Sequence, residues 1–153
     1  MRRVIALLLL AAFALPGTPA AAEVLSAKRV AVFDMVKRMQ ATFARDGLGA
    51  AVAAANDPSN TDFHDRDLYV FVYNKDGVCL ANGARPALVG KNLISIKDQD
   101  GKYLIQEMIS IAYGPGHGWL EYKWPSPITN RIADRGAYIE KMGEYFVGVG
   151  YDK

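Results

Sequence analysis

The spacing of apolar residues changes once along this chain, from the period of a helix to the alternation of a strand. Five apolar residues near the N-terminus are separated by seven, four, three and four positions: Leu25, Val32, Val36, Met39 and Phe43. That spacing places them on one stripe of a long helix. Leu68–Tyr73 is instead a run of aromatic and branched residues, which is typical of a strand. The chain is therefore predicted to pack helices against a sheet.

Turn residues divide the chain into elements. We predict a helix over about 23–46 that stops at Gly47 or Gly49, and a second, short helix over Leu48–Ala55. Residues 57–66 are polar and are predicted to form a loop. The later elements are a hairpin of 68–73 and 78–81, a helix over about 102–113, and strands over 118–124, 135–141 and 144–150. This order predicts an α+β fold in which the helices are segregated from one antiparallel sheet.

Residues 1–22 have the features of a secretory signal peptide. Two arginines precede the apolar run Val4–Leu15, and three alanines at 20–22 offer a cleavage site. The run is too short to span a bilayer, which needs roughly 20 residues, so an uncleaved anchor is the less favoured alternative. We expect the mature domain, residues 23–153, to be soluble and periplasmic, with helices in 23–56 and the sheet and helix core in 65–153.

Charge and cysteine content exclude several functions. Without Arg2 and Arg3 the chain keeps sixteen basic residues against sixteen acidic ones, so no nucleic acid or anionic membrane partner is expected. Cys79 is the single cysteine, so no intrachain disulfide can form. Its strand-like context favours a buried apolar thiol over a reactive or intermolecularly bridged one. Cys79 also lies far from the cleavage region, so the protein is not predicted to be a lipoprotein.

An aromatic strand that ends at two prolines is the most distinctive local feature. Tyr122 and Trp124 share one face of the strand 118–124, because side chains alternate along a strand. Pro125 and Pro127 cannot donate to a sheet ladder, so the strand must leave the sheet there. Two large rings beside such a turn form a plausible wall for a small-ligand pocket.

Several segments together resemble one family. They are Val89–Leu93 (VGKNL), Lys97–Lys102 (KDQDGK), Tyr122–Pro127 (YKWPSP), Arg135–Tyr138 (RGAY) and the closing strand Tyr145–Tyr151. In order and spacing they are similar to the single Cache domains of the second type. The resemblance implies a PAS-like fold, with a five-stranded antiparallel sheet, a long N-terminal helix and a helix crossing between the second and third strands. It also implies an extracytoplasmic sensor that binds small organic molecules, often short carboxylates.

The chain departs from that family at three places. Asn82-Gly83 stands where many relatives carry His-Pro, and Arg135 stands where lysine is commoner, so the ligand's identity is left open. Most relatives lie between two transmembrane helices of chemoreceptors or histidine kinases, whereas this chain ends at Lys153, directly after the last predicted strand. We therefore expect it to act through a separate partner, such as a membrane-bound signalling protein.

A ligand pocket is predicted from residue types and strand parity. Its candidate residues are Phe71, Tyr73, Tyr122, Trp124, Arg135 and Tyr138. Arg135 offers a planar fork for a carboxylate, and Tyr138 a phenolic donor. These two residues differ in parity, so a shared pocket requires that Arg135 precede the strand or that a bulge intervene. In the first strand either Tyr69, Phe71 and Tyr73 or Val70 and Val72 can face the pocket. The competing interpretation makes the aromatics plain core and Arg135 a surface charge.

Metal and catalytic sites have weak support. Asp98, Asp100 and Glu107 fit a calcium-loop spacing, but its first position is Ile96, which has no oxygen ligand. We expect Asp98 or Asp100 to cap the following helix instead. The two histidines lie far apart, and no zinc, haem, phosphate-loop or serine-hydrolase motif occurs. The sequence therefore predicts no metal, no cofactor and no enzyme.

Two functions from different classes remain. The favoured one is an exported domain that binds a small organic metabolite, expected to be a short carboxylate, and acts through a separate partner. The alternative is an envelope interaction or assembly module whose pocket is filled by its own side chains. In either case the apolar stripe of the N-terminal helix allows a homodimer or a partner surface.

Overall fold

A computed structural model describes residues 19–153 of the chain. In chain order its elements are α1 (Pro19–Asn56), β1 (His64–Asp65), β2 (Leu68–Asn74), β3 (Cys79–Asn82), a short 3₁₀ turn (Pro86–Leu88), α2 (Leu104–Tyr113), β4 (His117–Pro125), β5 (Ile132–Met142) and β6 (Tyr145–Asp152). The predicted signal peptide, residues 1–22, lies almost wholly outside the described residues and stays a prediction. Within residues 19–153 no helix is both long and apolar enough to cross a membrane.

The strands form one antiparallel sheet in the order β1-β2-β6-β5-β4, and β3 also pairs with β2. The α+β prediction is confirmed, including all five expected strands and a helix between the second and third of them. The sheet has a sixth strand, because His64 and Asp65 pair with Tyr69 and Leu68. The prediction of a loop over 57–66 missed this strand, since two residues are too few to show alternation.

Helix α1 covers one face of the sheet. Val32, Val36 and Met39 of the predicted stripe are fully buried there, and Leu25 and Phe43 pack against the same cluster. The predicted break is confirmed at Gly47, where φ is 80° and ψ is 177°. A positive φ of this size interrupts the helix and favours glycine, since it strains a residue with a Cβ atom.

Helix α2 and the segment 83–103 cover the other face. The helix begins at Leu104, and its N-cap residue Tyr103 makes no side-chain capping bond, so the predicted Asp98 or Asp100 cap is wrong. The reason is a turn at Asp98, whose carboxylate accepts the backbone N–H groups of Asp100 at 3.0 Å and Lys102 at 2.9 Å. The same carboxylate accepts the Lys123 N–H at 3.2 Å and thus ties the segment to β4.

Candidate functional site

An aromatic cavity lies between the sheet and α2. The sheet contributes Tyr69, Phe71, Tyr73, Asn82, Tyr122 and Trp124; α2 contributes Leu104, Ile105 and Met108; and the segment 83–103 contributes Leu88, Leu93 and Ile96. Its volume is about 20 Å³, which is room for about one water molecule. The side chains therefore meet almost completely across the cavity, and a larger guest requires them to move apart.

Strand parity explains the floor of the cavity. Tyr69, Phe71 and Tyr73 face α2, while Val70 and Val72 pack under α1. The sequence left these two sets as alternatives, and the structure places the aromatic set at the cavity. Two glycines of β6 leave space for rings at the cavity, Phe71 from the neighbouring strand β2 and Tyr122 from β4. A Cβ atom at Gly148 would lie 2.3 Å from the Phe71 ring, and one at Gly150 would lie 2.8 Å from the Tyr122 hydroxyl.

The Val89–Leu93 block holds the outer wall of the cavity against the hairpin. Backbone hydrogen bonds join Gly90 N–H to Cys79 O at 2.7 Å and Cys79 N–H to Lys91 O at 2.9 Å. Asn92 donates its side-chain amide to Asp76 O at 3.0 Å. Gly90 has a φ of 82°, a value that favours glycine in this turn. These bonds place Leu93 at the cavity, so the role of the Val89–Leu93 block is to hold the outer wall in position.

Arg135 is fully buried beside the cavity. Its Nη1 donates to the Asp152 carboxylate, and its Nη2 donates to Asp67 O at 3.2 Å. The guanidinium carbon lies 5.2 Å from the centre of the Tyr69 ring. Within residues 19–153 its Nε has no hydrogen-bond partner. A buried donor without a partner costs free energy, so this N–H is available to an acceptor that reaches it.

Burial sets the protonation of the groups around Arg135. Burial raises the pKa values of Tyr69 and Tyr122, so both phenols stay protonated and able to donate. Burial alone would lower the pKa of Arg135, but the anionic groups beside it, the Asp152 carboxylate at neutral pH, outweigh burial and raise that pKa, so Arg135 stays charged. The arrangement thus offers one cation and two neutral donors, which suits the oxygens of a carboxylate.

Arg135 lies one side chain behind the cavity wall. Tyr69 and Tyr122 line the cavity, whereas Arg135 does not. Tyr122 and Arg135 also line a second, polar basin of about 230 Å³ that is open to the surface. Three lysines and three acidic residues complete its lining: Lys102, Lys123, Lys153, Asp100, Glu121 and Asp134. Tyr122 and Arg135 therefore separate the apolar cavity from a charged part of the surface.

Tyr138 lies on the opposite face of the sheet from the cavity. Strand β5 pairs residue by residue with β6 from Arg135 to Met142, with no bulge, so Arg135 and Tyr138 point to opposite faces. Tyr138 packs under α1, with ring centres 5.4 Å from Phe33 and 5.0 Å from Trp119. Burial and the nearby Glu140 raise the pKa of Tyr138 to about 12.

The structure thus brings together Phe71, Tyr73, Tyr122 and Trp124 at the cavity, places Arg135 next to them, and separates Tyr138 from them. The predicted site omitted Tyr69, Asn82 and Asp152. Tyr69 is two residues from Phe71 in the same strand, so alternation already indicated that both side chains lie on one face. Asn82 is buried at the cavity and accepts the Arg85 N–H at 2.8 Å. Nothing local marks Asp152, because its contact with Arg135 depends on strand pairing.

The remaining candidate groups have structural contacts. His64 has a ring nitrogen 3.0 Å from Ala55 O, and Cys79 is fully buried, as predicted. Burial raises the pKa of the Cys79 thiol to about 11, so the thiol stays protonated at neutral pH. In the part of the chain from residue 19 to 153, no three His, Cys, Asp or Glu side chains gather in a way that would hold a metal ion.

A family model described as a Cache domain matches residues 56–152. The chain belongs to the Cache domain family. This match spans the hairpin, the cavity, α2 and the three long strands, and so includes every segment that carried the resemblance in the sequence. Cache domains are extracytoplasmic sensor domains, and the fold described above is theirs.

Two curated relatives are signalling proteins. The sensor histidine kinase MctS of Rhizobium johnstonii is 32% identical over 87 residues, and the methyl-accepting chemotaxis protein McpP of Pseudomonas putida is 27% identical over 89 residues. Each match covers 57% of this chain, but 19% of the kinase and 16% of the chemotaxis protein. The chain thus spans less than a fifth of the length of either relative.

Two solved structures share the fold over most of the chain. A methyl-accepting chemotaxis protein of Vibrio parahaemolyticus has a TM-score of 0.68 at 24% identity, with 87% of this chain and 93% of that one covered. A Cache chemosensory domain solved for its recognition of carboxylic acids has a TM-score of 0.63 at 18% identity, with 87% and 92% covered. At these identities the likeness establishes the fold.

Proposed function

We propose that this Cache domain senses a small organic molecule by binding it in the aromatic cavity, and that the molecule is a short carboxylate. One observation carries the proposal: the buried Arg135 guanidinium has an unpartnered Nε beside two protonated phenols at the cavity wall. The carboxylate would accept hydrogen bonds from Nε and from Tyr69 and Tyr122. Its hydrocarbon part would lie against Phe71, Tyr73 and Trp124.

Binding of this kind requires the cavity to open. A cavity of about 20 Å³ holds about one water molecule, so a molecule with two to four carbon atoms needs movement of the lining side chains. Trp124 is only half-buried, and Leu88, Leu93 and Ile96 lie on a segment without long helices or strands. We expect these residues to move outward, because the buried rings on the sheet floor have less freedom.

The proposal has no catalytic step and no cofactor, since it asks only that the domain bind and release a molecule. The kinship with a sensor histidine kinase and a chemotaxis protein supports a signalling role, exerted through a membrane-bound partner. The carboxylic-acid-binding Cache domain of the same fold supports the ligand class. The apolar run in residues 1–22 supports export as a soluble periplasmic protein after cleavage.

A thermal-shift series with sodium salts of C2 to C4 carboxylates tests the ligand class. Binding to the folded state raises the unfolding midpoint, and the rise grows with concentration. Sodium chloride at equal ionic strength is the salt control. We expect at least one carboxylate to raise the midpoint of the wild type, and Arg135→Ala to lose the rise. Arg131→Ala is the matched control, because Arg131 is exposed and lies just before the same strand.

Loss of Arg135 removes a buried cation, so the folded state of each variant needs its own check by circular dichroism. Arg135→Lys keeps the charge but loses the planar fork and Nε, so we expect it to fold and to bind more weakly than the wild type. A wild-type midpoint that stays flat across the whole carboxylate series would contradict the ligand class. An equal shift in the wild type and both Arg135 variants would contradict the role of Arg135.

A second function, that of an envelope interaction module, is favoured by one surface feature. Val30 and Phe33 of α1 and Trp119 of β4 are large, exposed apolar residues that line one basin on the surface. A ligand-free pull-down from an envelope extract, with Trp119→Ser as the control variant, separates this function from the first. Recovery of one stable partner by the wild type but not by the variant would favour it.

A further inference from the structure

An ion network joins Arg135 to helix α1 around the end of the sheet. Lys28 of α1 reaches Asp67 with its Nζ 2.9 Å from Oδ2, and it also donates to Asp152 O at 2.8 Å. The same Asp67 oxygen accepts the Asp152 backbone N–H at 2.7 Å. Asp152 in turn receives the Arg135 guanidinium. Residues on opposite faces of the sheet are thus connected through two consecutive carboxylates.

Asp152 is the residue on which the network depends. Its backbone N–H and C=O both bond to the Asp67–Lys28 pair, and its carboxylate bonds to both Arg135 and the Ser126 hydroxyl, the latter at 2.5 Å. Ser126 is buried at the turn between the two prolines that end the aromatic strand. A change in the side-chain partner of Asp152 therefore also acts on the backbone atoms that hold Lys28.

We propose that Asp152 occupies Arg135 in the ligand-free domain, and that a bound carboxylate takes Arg135 from Asp152 and so weakens the attachment of Lys28 and of the adjoining part of α1. This inference rests on the proposed function for its ligand step. The network itself is a property of the domain without ligand, and it can be tested separately.

Charge balance explains why Asp152 gives way. The network holds two cations, Lys28 and Arg135, and two carboxylates, Asp67 and Asp152, so a third carboxylate leaves it with one uncompensated negative charge. Such a charge is costly away from water. The Asp152 side chain is 24% exposed and that of Asp67 is 11% exposed, so Asp152 reaches water more easily. The Ser126 hydroxyl can still donate to one oxygen of the Asp152 carboxylate when that carboxylate no longer contacts Arg135.

The ligand-free part is tested by hydrogen exchange of the full mature domain. We expect Asp152→Asn to raise the exchange rate of amides near Lys28 by about five-fold or more. The ion pair between Asp152 and Arg135 is lost in this variant, and one such contact supplies a substantial part of the local stability. Lys28→Met should give the same pattern. Lys37→Met is the matched control, because Lys37 is a lysine of the same helix that pairs instead with Glu140 of β5, at 2.7 Å.

Two results would overturn the network. In the first, Asp152→Asn leaves the exchange rate of amides near Lys28 at the wild-type value although Lys28→Met raises it. In the second, the Lys37→Met control raises that rate as much as Asp152→Asn does. If Asp152→Asn does not fold, Ser126→Ala removes the other bond to the Asp152 carboxylate. We expect Ser126→Ala to raise the exchange rate of the same amides by a smaller factor, and an unchanged rate would count against the proposal.

The ligand part is tested by calorimetry with acetate and its neutral isostere acetamide. Acetate is the smallest carboxylate of the series, so it demands the least opening of the cavity. We expect Asp152→Asn to bind acetate about five-fold or more tightly than the wild type does, because Arg135 no longer has a competing anion. Acetamide should not gain in this way, whereas a purely structural effect of the substitution would change both ligands together.

The outcomes separate the two proposals. Acetate binding that is equal or weaker in Asp152→Asn than in the wild type would overturn the competition between the carboxylates. If no variant binds acetate while the exchange pattern appears as expected, the network between Arg135 and α1 holds and the carboxylate as ligand class fails.

Discussion

At the scale of single residues, the domain uses buried polar groups to fix geometry that apolar packing alone does not specify. Arg135 donates to the Asp152 carboxylate and to Asp67 O, and within residues 19–153 its Nε has no partner. Asp98 has a different role, since its carboxylate accepts two backbone N–H groups within the segment 83–103 and one from β4. Partners offset most of the cost of burying these groups, and the Arg135 Nε is the exception within residues 19–153.

Asp98→Ala tests that second role. We expect it to lower the free energy of unfolding by about 1–3 kcal/mol, because three backbone donors lose their acceptor. Urea unfolding followed by circular dichroism measures the change. The matched control is Asp100→Ala, which removes only an ion pair of an exposed side chain with Lys123 and should cost at most about 1 kcal/mol. Equal losses in the two variants would contradict the account of Asp98.

At the scale of elements, the break in α1 at Gly47 gives the clearest test. A Cβ atom at Gly47 or at Gly49 would meet no heavy atom within 4 Å, so the two positions differ in backbone conformation and not in space. Gly47 has a φ of 80°, whereas Gly49 lies in the helix that follows. We expect Gly47→Ala to destabilise the protein by about 1–3 kcal/mol and Gly49→Ala to stabilise it by about 0.5–1 kcal/mol. Opposite shifts of the urea midpoint are the predicted result, and a gain in both variants would contradict it.

The sequence predicted those elements whose signal is local. The apolar stripe of α1 and the turn Asn74–Gly77 each follow from residues close together in the chain, and parity places Tyr122 and Trp124 on one face. Local signals did not predict β1, which has only two residues. They also misassigned Asp98, because the same residue type can cap a helix or close a turn, and its third partner, Lys123, is 25 positions away.

The candidate site was predicted in part for the same reason. Four of its six residues line the cavity, because parity and residue type are visible in the sequence. Parity also indicated the conflict between Arg135 and Tyr138, which the regular pairing of β5 resolves by placing Tyr138 under α1. The contact of Lys28 with the Asp152 backbone spans 124 positions, so it follows only from the assembled sheet.

At the scale of the whole molecule, ion pairs between α1 and the sheet link stability to pH. Burial alone would raise the pKa of Asp67, but bonds from Lys28 and the Asp152 N–H outweigh it and lower that pKa. Burial and Lys37 oppose each other in the same way at Glu140, and its pKa is lowered as well. As the pH falls below about 4.5 the unfolded chain therefore binds protons before the folded protein does, and stability is lost.

We expect the urea midpoint to stay nearly constant from pH 7 to pH 5 and to fall as the pH is lowered further. Asp67→Asn should be less stable at pH 7 and should lose less on acidification, since it lacks one of the groups that titrates. Asp62→Asn, at an exposed position, is the control and should follow the wild type. A pH dependence of Asp67→Asn as steep as that of the wild type would contradict this account.

The central claim is that the aromatic cavity opens to take a carboxylate at Arg135. A crystal structure of residues 23–153 grown with acetate tests it most directly. We expect acetate between Trp124 and Arg135, with a carboxylate oxygen within hydrogen-bond distance of the Arg135 Nε and with Asp152 displaced from the guanidinium. A structure from saturating acetate in which the cavity stays closed and Asp152 still holds Arg135 would contradict it.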